Sequence, residues 1–535
     1  MLGPLPPLKE RTLAAVVRGR LATAPDALVV RGPERSLSTA QLVDEALAVA
    51  GGFQDRGIAT AEAVLLMLDN HIDYIVAWWA LGLTGRIEVP VNTAYKGSIL
   101  IHVINNSAAR AIVIDAAYLP VLAEVAASLS ALEIVIVRGI DTSASAQFAL
   151  PARMRVLDWR ELRGPRAGIA DIAPWDLMGI LYTSGTTGPS KGVRVTHAHA
   201  YGYASPGALD LSQAQDVALC NLPLFHIGGQ WAIVYNNMIA GGHSVILPKF
   251  SASTFWDDVR AYGCTSTMLL GAMANFLWRQ PERPDDAAQP LRRVLMSPVI
   301  AKLSDFQRRF GVTHVSTGYG LTEASTITCA PAGEAKPGRC GFGRPDFELK
   351  LVDEHDIEVA DGQVGEMVVR SKDPWMVMDG YHEMPQATVA AWRNQWLHTG
   401  DAMRRETDGQ YVFVDRIKDA VRRRGENVSS FEVEKEINDH PAVLESAVIA
   451  VASDATEDEI KACVVLRPEH RLDAEALLVF LEKRLPGFMV PRYVEFIAQM
   501  PKTPTEKIRK QALRDLGVTP TTYDRVASTG PRTRL

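Results

Sequence analysis

Apolar residues along the first 170 positions recur in two rhythms. Residues 39–55 carry them at helical spacing behind Ser38, whose short hydroxyl side chain suits a helix N-cap. Residues 74–84 repeat that rhythm. Between such segments run short apolar stretches at 63–68, 88–91, 111–115 and 132–137. The last two are β-branched runs of the kind buried parallel strands use. Helices alternating with such strands predict parallel sheets. The alternation continues through strands at 217–222, 244–248 and 267–270. From residue 348 the strands become short and turn-linked, at 349–353, 365–370 and 411–414, which predicts a small β-rich subdomain. Beyond Arg416 come a basic stretch, a helix over 430–438 and a β-α-β-like segment ending at Ile497. Residues 521–535, rich in Thr, Pro, Arg and Ser, read as a mobile tail. No internal repeat or low-complexity segment interrupts this order.

Length and composition narrow the picture. A chain of 535 residues is too long for one ordinary domain. Hydrophobic residues make up 47% and charged residues 22%, the balance of a soluble globular protein. The net charge of -6 supplies no general basic surface for nucleic acid. Cys220, Cys264, Cys329, Cys340 and Cys463 stand far apart and form no CxxC pair. Such an odd, scattered set suits reduced thiols in a cytoplasmic protein. The histidines show no HExxH spacing. His197 and His199 would share one face of a strand, but a zinc site needs more ligands nearby. Residues 1–9 are Pro-rich and lack the plan of a secretory signal. The most apolar stretches, 63–68 and 75–83, fall well short of the roughly 20 residues that span a bilayer.

The densest chemistry lies in Thr183-Ser184-Gly185-Thr186-Thr187-Gly188-Pro189-Ser190-Lys191-Gly192, directly after an apolar run. Glycines let backbone N–H groups turn towards a phosphate, hydroxyls add donors, and the lysine adds charge. The GxxxxGK[ST] spacing of a Walker A loop is absent. The string resembles the phosphate-loop signature of the adenylate-forming superfamily, which holds acyl-CoA synthetases, luciferases and peptide-synthetase adenylation domains. Further segments resemble that superfamily's signatures in the same order: Tyr319-Gly320-Leu321-Thr322-Glu323, His398-Thr399-Gly400-Asp401, Asp415-Arg416-Ile417-Lys418-Asp419, and Pro501-Lys502-Thr503-Pro504-Thr505-Glu506-Lys507. Together they span more than half of the chain. The run from Arg424 to Glu434 looks closest to acid:CoA ligases of the carnitine and crotonobetaine type.

The resemblance implies an α/β fold. A large N-terminal domain of mixed parallel sheets, residues 1–415, would carry the β-rich subdomain at about 345–415. A hinge at 416–419 and a small mobile α+β domain at 420–520 would follow. It implies ATP, Mg²⁺ and coenzyme A as cofactors or co-substrates, and a small-molecule carboxylic acid as substrate. Thr183, Ser184, Gly185, Thr186, Thr187, Gly188 and Lys191 would cradle phosphates. Gly318, Tyr319 and Gly320 would line the adenine, with Tyr319 stacking on it. Glu323 would hold Mg²⁺, and Thr322 would contact phosphate or carboxylate. Asp401 and Arg416 would take the ribose, Lys418 would be the pivot, and Lys507 would contact the carboxylate and the α-phosphate. His226, in Pro223-Leu224-Phe225-His226-Ile227-Gly228-Gly229, would close over the adenylate. Gly228 and Gly229 would leave room for a bulky or long acyl chain.

Three departures stand beside these matches. Arg424 replaces the first of the two glycines that coenzyme A ligases often carry, while Gly425 keeps the second. Arg422 to Arg424 are either a coenzyme A contact or a solvated basic face. Glu506 stands where glycine usually precedes the lysine. The segment Leu295-Met296-Ser297-Pro298-Val299 replaces the usual Gly/Ala stretch beside the adenine. The leading expectation is an AMP-forming acid:CoA ligase. Its alternative is an adenylating enzyme that loads a carrier protein. A non-catalytic nucleotide-binding scaffold would be expected to lose Lys507, Glu323 or Asp401, and all three are present. Histidine stands where amino-acid-activating relatives carry an aspartate after the aromatic, which argues against an amino-acid substrate. A homodimer is compatible with the chain.

Overall fold

The structure is a computed structural model. It describes residues 5–139, 150–183, 190–417, 421–423, 426–452, 458–485, 487, 489–503 and 507–526. These fall into two compact units. The first is Met1–Leu349 with Val368–Thr399 and Asp408–Val412; the second is Lys350–Met367, Gly400–Thr407 and Phe413–Leu535. The sequence reading keeps residues 350–367 and 400–415 with the large domain.

Two sheets organise the first unit. A seven-stranded sheet runs in the order Arg155–Asp158, Ile134–Arg138, Ala111–Asp115, Ala63–Met67, Ile87–Pro90, Leu177–Thr183, Lys191–Thr196. Its pairings are parallel except for the final hairpin. The expected strand Ala111–Asp115 is buried along its whole length, as a strand covered on both faces must be. A nine-stranded sheet is centred on Ser266–Leu270, Val217–Cys220 and His243–Ile246. Leu28–Arg31 lies parallel to His243–Ile246 at one side, and the hairpin His314–Leu321/Ser325–Ala330 at the other. Helices Thr39–Asp55 and Ile72–Gly82 pack into a core with Trp78, Trp79, Trp231 and Tyr235, all essentially without exposure. Thr39–Asp55 begins where Ser38 predicts. The Ser38 hydroxyl accepts from Gln41 N, and Gln41 Oε1 accepts from Ser38 N, a reciprocal capping box.

The strands of the expected β-rich subdomain order as Phe347–Val352, Val364–Ser371, Leu397–Arg405 and Tyr411–Arg416. In the second unit, Val443–Val451, Glu459–Leu466, Tyr493–Phe496 and Tyr523–Asp524 form another four-stranded sheet. Helices Ser430–Asn438 and Ala474–Glu482 cover it through Val433, Ile437, Leu477 and Leu481. Among the described residues no helix is long and apolar enough to cross a membrane.

His197 and His199, which would share a face if they stood on a strand, stand on a helix instead. Thr196 accepts from His199 N through its side chain and caps a helix, His197–Ala204. Two residues apart on a helix point to different sides, so the histidines do not share a face. Both are fully buried, and burial pushes both imidazoles down to about 3.

Candidate active site

The phosphate-loop string begins as strand Leu177–Thr183 and ends as Lys191–Thr196, paired antiparallel so that Thr183 lies opposite Lys191. Ser184, Gly185, Thr186, Thr187 and Gly188 lie outside the described residues. The ends of the hairpin show what surrounds its tip. Thr183 Oγ1 donates to Glu323 Oε1 at 3.3 Å, and Tyr381 Oη donates to the same oxygen at 3.2 Å. Lys191 Nζ stands 4.7 Å from the centroid of the Tyr381 ring, a cation–π distance. Burial, and then the Glu323 charge, push the Tyr381 phenol upward, so it remains a donor. Two signatures separated by 140 residues thus meet at one carboxylate.

Local folding explains how Glu323 arrives there. Hairpin His314–Leu321/Ser325–Ala330 shifts register between Tyr319 and Gly320. Tyr319 N donates to Thr328 Oγ1 at 3.1 Å, and Ser297 Oγ donates to the Gly318 carbonyl at 3.0 Å. The Leu295-to-Val299 segment therefore runs beside Gly318, through the cis Ser297–Pro298 bond. At Gly320 a Cβ would meet Ser325 O at 2.5 Å, so the partner strand's approach requires glycine. Thr322 is buried. Met378 N donates to the Glu323 carbonyl at 2.8 Å, and His382 N to the Gly192 carbonyl at 2.7 Å. Residues 378–382 thereby join the two hairpins and deliver Tyr381. Sequence reading missed Tyr381. Its only signal is Gly380, whose φ of 115° marks a turn there.

His226 is exposed, and its Nδ1 accepts from Gly228 N at 3.1 Å. That bond assigns the neutral ring's proton to Nε2. The chain then enters a π-helix, Gly228–Tyr235, a form common at functional sites. A Cβ on Gly228 would meet nothing closer than 3.4 Å, whereas a Cβ on Gly229 would lie 2.4 Å from Pro223 O. Gly229 therefore makes room for backbone rather than for a ligand.

One turn deeper, Gln230 Nε2 donates to Glu88 Oε1 and Oε2 at 2.8 and 3.0 Å, and Tyr74 Oη donates to Oε1 at 3.1 Å. Glu88 is 2% exposed; burial pushes its carboxyl up to about 8, against the pull of Gln230 and Tyr74. It is neutral at pH 7, and it ties the π-helix to strand Ile87–Pro90. The charged residue inside an apolar run was the available signal, and the sequence reading passed over it.

Within the second unit, buried Asp401 lies 3.5 Å from Arg416 Nε. Gly400 N donates to Glu366 Oε1 at 3.0 Å, and Ile417 N to the Gly400 carbonyl at 3.0 Å, so the two signatures share one frame. Lys507 is exposed in a turn closed by Thr503 N on the Lys507 carbonyl (2.7 Å) and Lys507 N on Thr503 Oγ1 (3.1 Å). Lys418, Arg424 and Gly425 lie outside the described residues.

The AMP-binding enzyme family matches residues 17–382, and the AMP-binding enzyme C-terminal domain matches 432–507. A crotonobetaine/carnitine–CoA ligase of Salmonella heidelberg (strain SL476) is 31% identical over 498 residues, covering 90% of this chain and 94% of its own. Two solved structures share the fold. The anthranilate CoA ligase AuaEII in complex with anthranoyl-AMP has a TM-score of 0.84 at 23% identity, covering 96% of this chain and 98% of its own. ATP-bound MatB from Rhodopseudomonas palustris has a TM-score of 0.80 at 25% identity, covering 94% and 98%.

Proposed function

The chain belongs to the AMP-binding enzyme family, and from that premise we propose that it is an AMP-forming acid:CoA ligase. The meeting of Thr183, Glu323 and Tyr381 beside Lys191 carries this reading. Such a site suits a reaction between anions. A carboxylate is a poor electrophile because oxide leaves badly. Its oxygen attacks the α-phosphorus of ATP, the bond to the β-phosphate breaks, and acyl-AMP and pyrophosphate form. The coenzyme A thiol then adds to the acyl carbonyl, loses its proton, and expels AMP. Bringing anions together makes positioning and charge neutralisation the main tasks.

Lys191 and Thr183 contact the phosphates, and Tyr319 lies against the adenine. Asp401 accepts from the ribose hydroxyls, with Arg416 beside it. Lys507 neutralises charge between the carboxylate and the α-phosphate. His226 offers its Nε2 proton at the adenylate. The oxygen donors at Glu323 fit Mg²⁺, a hard cation that takes one or two carboxylates plus phosphates. When bound, it supplies positive charge against the phosphates. The segment 416–419, with Lys418, is the hinge between the adenylating and thioester-forming arrangements. By family resemblance, Gly425 and Arg424 are the coenzyme A contacts. Five unbridged cysteines, four of them buried, support a reducing, cytoplasmic setting.

The substrate is a small-molecule carboxylic acid. The test is release of AMP and pyrophosphate from ATP and Mg²⁺ over crotonobetaine, carnitine, benzoate, anthranilate, hexanoate and acetate, with and without coenzyme A. Acyl-CoA appearing with AMP supports the ligase. Pyrophosphate with retained acyl-AMP that coenzyme A does not discharge refutes coenzyme A as acceptor and favours a carrier protein. Lys507→Ala should lose adenylation while supplied acyl-AMP is still converted to thioester.

A further inference from the structure

Lys510 opens the helix Lys510–Leu516, three residues after Lys507. Its ammonium is mostly buried and lies 2.8 Å from Glu434 Oε1. It also donates to Ser430 Oγ. Ser430 passes the contact on: its N and Oγ donate to Asp415 Oδ2 at 2.6 and 2.7 Å. Asp415 is 4% exposed, and its other oxygen accepts from Arg416 N at 2.7 Å. Glu434 Oε1 also accepts from Val448 N at 2.6 Å, fixing that carboxylate to strand Val443–Val451. An unbroken polar chain thus joins the helix that follows the Lys507 turn to the backbone N of Arg416, whose side chain pairs with Asp401.

Other contacts hold the turn to the sheet of this unit. Lys502 pairs with Glu445 at 2.8 Å, and Arg509 N donates to the Pro501 carbonyl at 2.7 Å. Neither reaches the ribose pair. The Lys510 chain also spans the hinge in sequence. Asp415 and Arg416 stand before Lys418, whereas Ser430 and Lys510 stand after it.

We propose that Lys510 is a positioning residue for adenylation: through Ser430 and Asp415 it locks the Lys507 turn to the Asp401–Arg416 ribose site. This rests on the reading of Lys507 as the adenylating lysine. Removing the ammonium leaves the Lys507 side chain intact and loosens only its register to the nucleotide. Such a loss falls on kcat of the first half-reaction more than on binding.

The test compares Lys510→Met, Lys510→Arg and the charge-balanced Lys510→Met/Glu434→Gln with Lys507→Ala. Each full-length variant is assayed with the best acid of the panel and with its synthetic acyl-AMP. Lys510→Met and the double variant should lower kcat of acyl-AMP formation at least about tenfold, with KM for ATP within about threefold. Thioester formation from supplied acyl-AMP should stay within about threefold of wild type. Lys510→Arg should restore most of the adenylation rate. Equal loss in both half-reactions for Lys510→Met and the double variant would make Lys510 merely structural and overturn the proposal. Unchanged adenylation in the folded double variant would overturn it while leaving Lys507 in place. Full adenylation by Lys507→Ala would remove the underlying reading and the proposal together.

Discussion

Replacing Glu88 by Gln should stabilise the first unit at neutral pH and have little effect at acid pH. An unfolded chain ionises this carboxyl near its ordinary 4.5, whereas the folded protein holds the proton up to about 8. Between those values the folded state binds one proton more than the unfolded state. Its stability contribution is complete below 4.5, declines as pH rises, and is gone above 8. The slope is about 1.4 kcal/mol per pH unit for one proton, so from pH 5.5 to 7.5 the wild type should lose about 2.7 kcal/mol relative to Glu88→Gln. The amide keeps an oxygen to accept from Gln230 or Tyr74 and has no such titration. Tryptophan fluorescence during urea unfolding is the assay, because all ten tryptophans belong to the first unit. The difference between the two proteins is compared at pH 5.5, 6.5 and 7.5. A difference independent of pH would show that Glu88 does not hold a proton in the fold. A wild type that gains on the variant with rising pH would reverse the sign and refute the reasoning.

Three further outcomes can be checked. Glu323→Gln should leave the melting temperature unchanged and lower ATP–pyrophosphate exchange about 100-fold, because the oxygen bonded to Thr183 and Tyr381 survives and the charge does not. Gly320→Val places a Cβ 2.5 Å from Ser325 O and should destabilise by about 2 kcal/mol or more in chemical denaturation. In the second unit Lys461 pairs with Glu495, both almost fully buried. Burial pushes the Glu495 carboxyl up, but the Lys461 ammonium and the Thr519 and Thr521 hydroxyls bring it down to about 2. That contribution is present above 4.5 and fades as pH falls towards 2, so calorimetry should find acid destabilisation of this unit. Lys461→Met should cost about 3–5 kcal/mol at pH 7.

Where local chemistry decided a boundary, the sequence was enough. Ser38 with Gln41 starts the helix Thr39–Asp55, and the helix Ser430–Asn438 follows its Ser429 cap. The helix read at 74–84 begins instead at Ile72, because the His71 side chain accepts from Asp73 N and caps it two residues earlier. The motif residues Thr183, Lys191 and Glu323 were singled out in the sequence, and the fold brings them together. Tyr381 and Gln230 were not. Each acts through a partner more than 50 residues away, and a neighbouring turn glycine such as Gly380 does not reveal that partner. The conformation of His197 and His199 was not read from the sequence; the Thr196 cap puts both on a helix.

The nine-stranded sheet has a consequence for how the protein is made. Leu28–Arg31 is among the first strands to leave the ribosome, yet its parallel partner His243–Ile246 is synthesised roughly 200 residues later. At about 5–20 residues per second, that is a wait of about 10–40 s. The seven-stranded sheet is synthesised almost entirely within that interval. Ser36–Ser38 can pair with Leu28–Arg31 at once, but the strand's other edge spends that interval free, without its parallel partner. Nascent chains ending before residue 243 should therefore depend on chaperones, however stable the completed protein is.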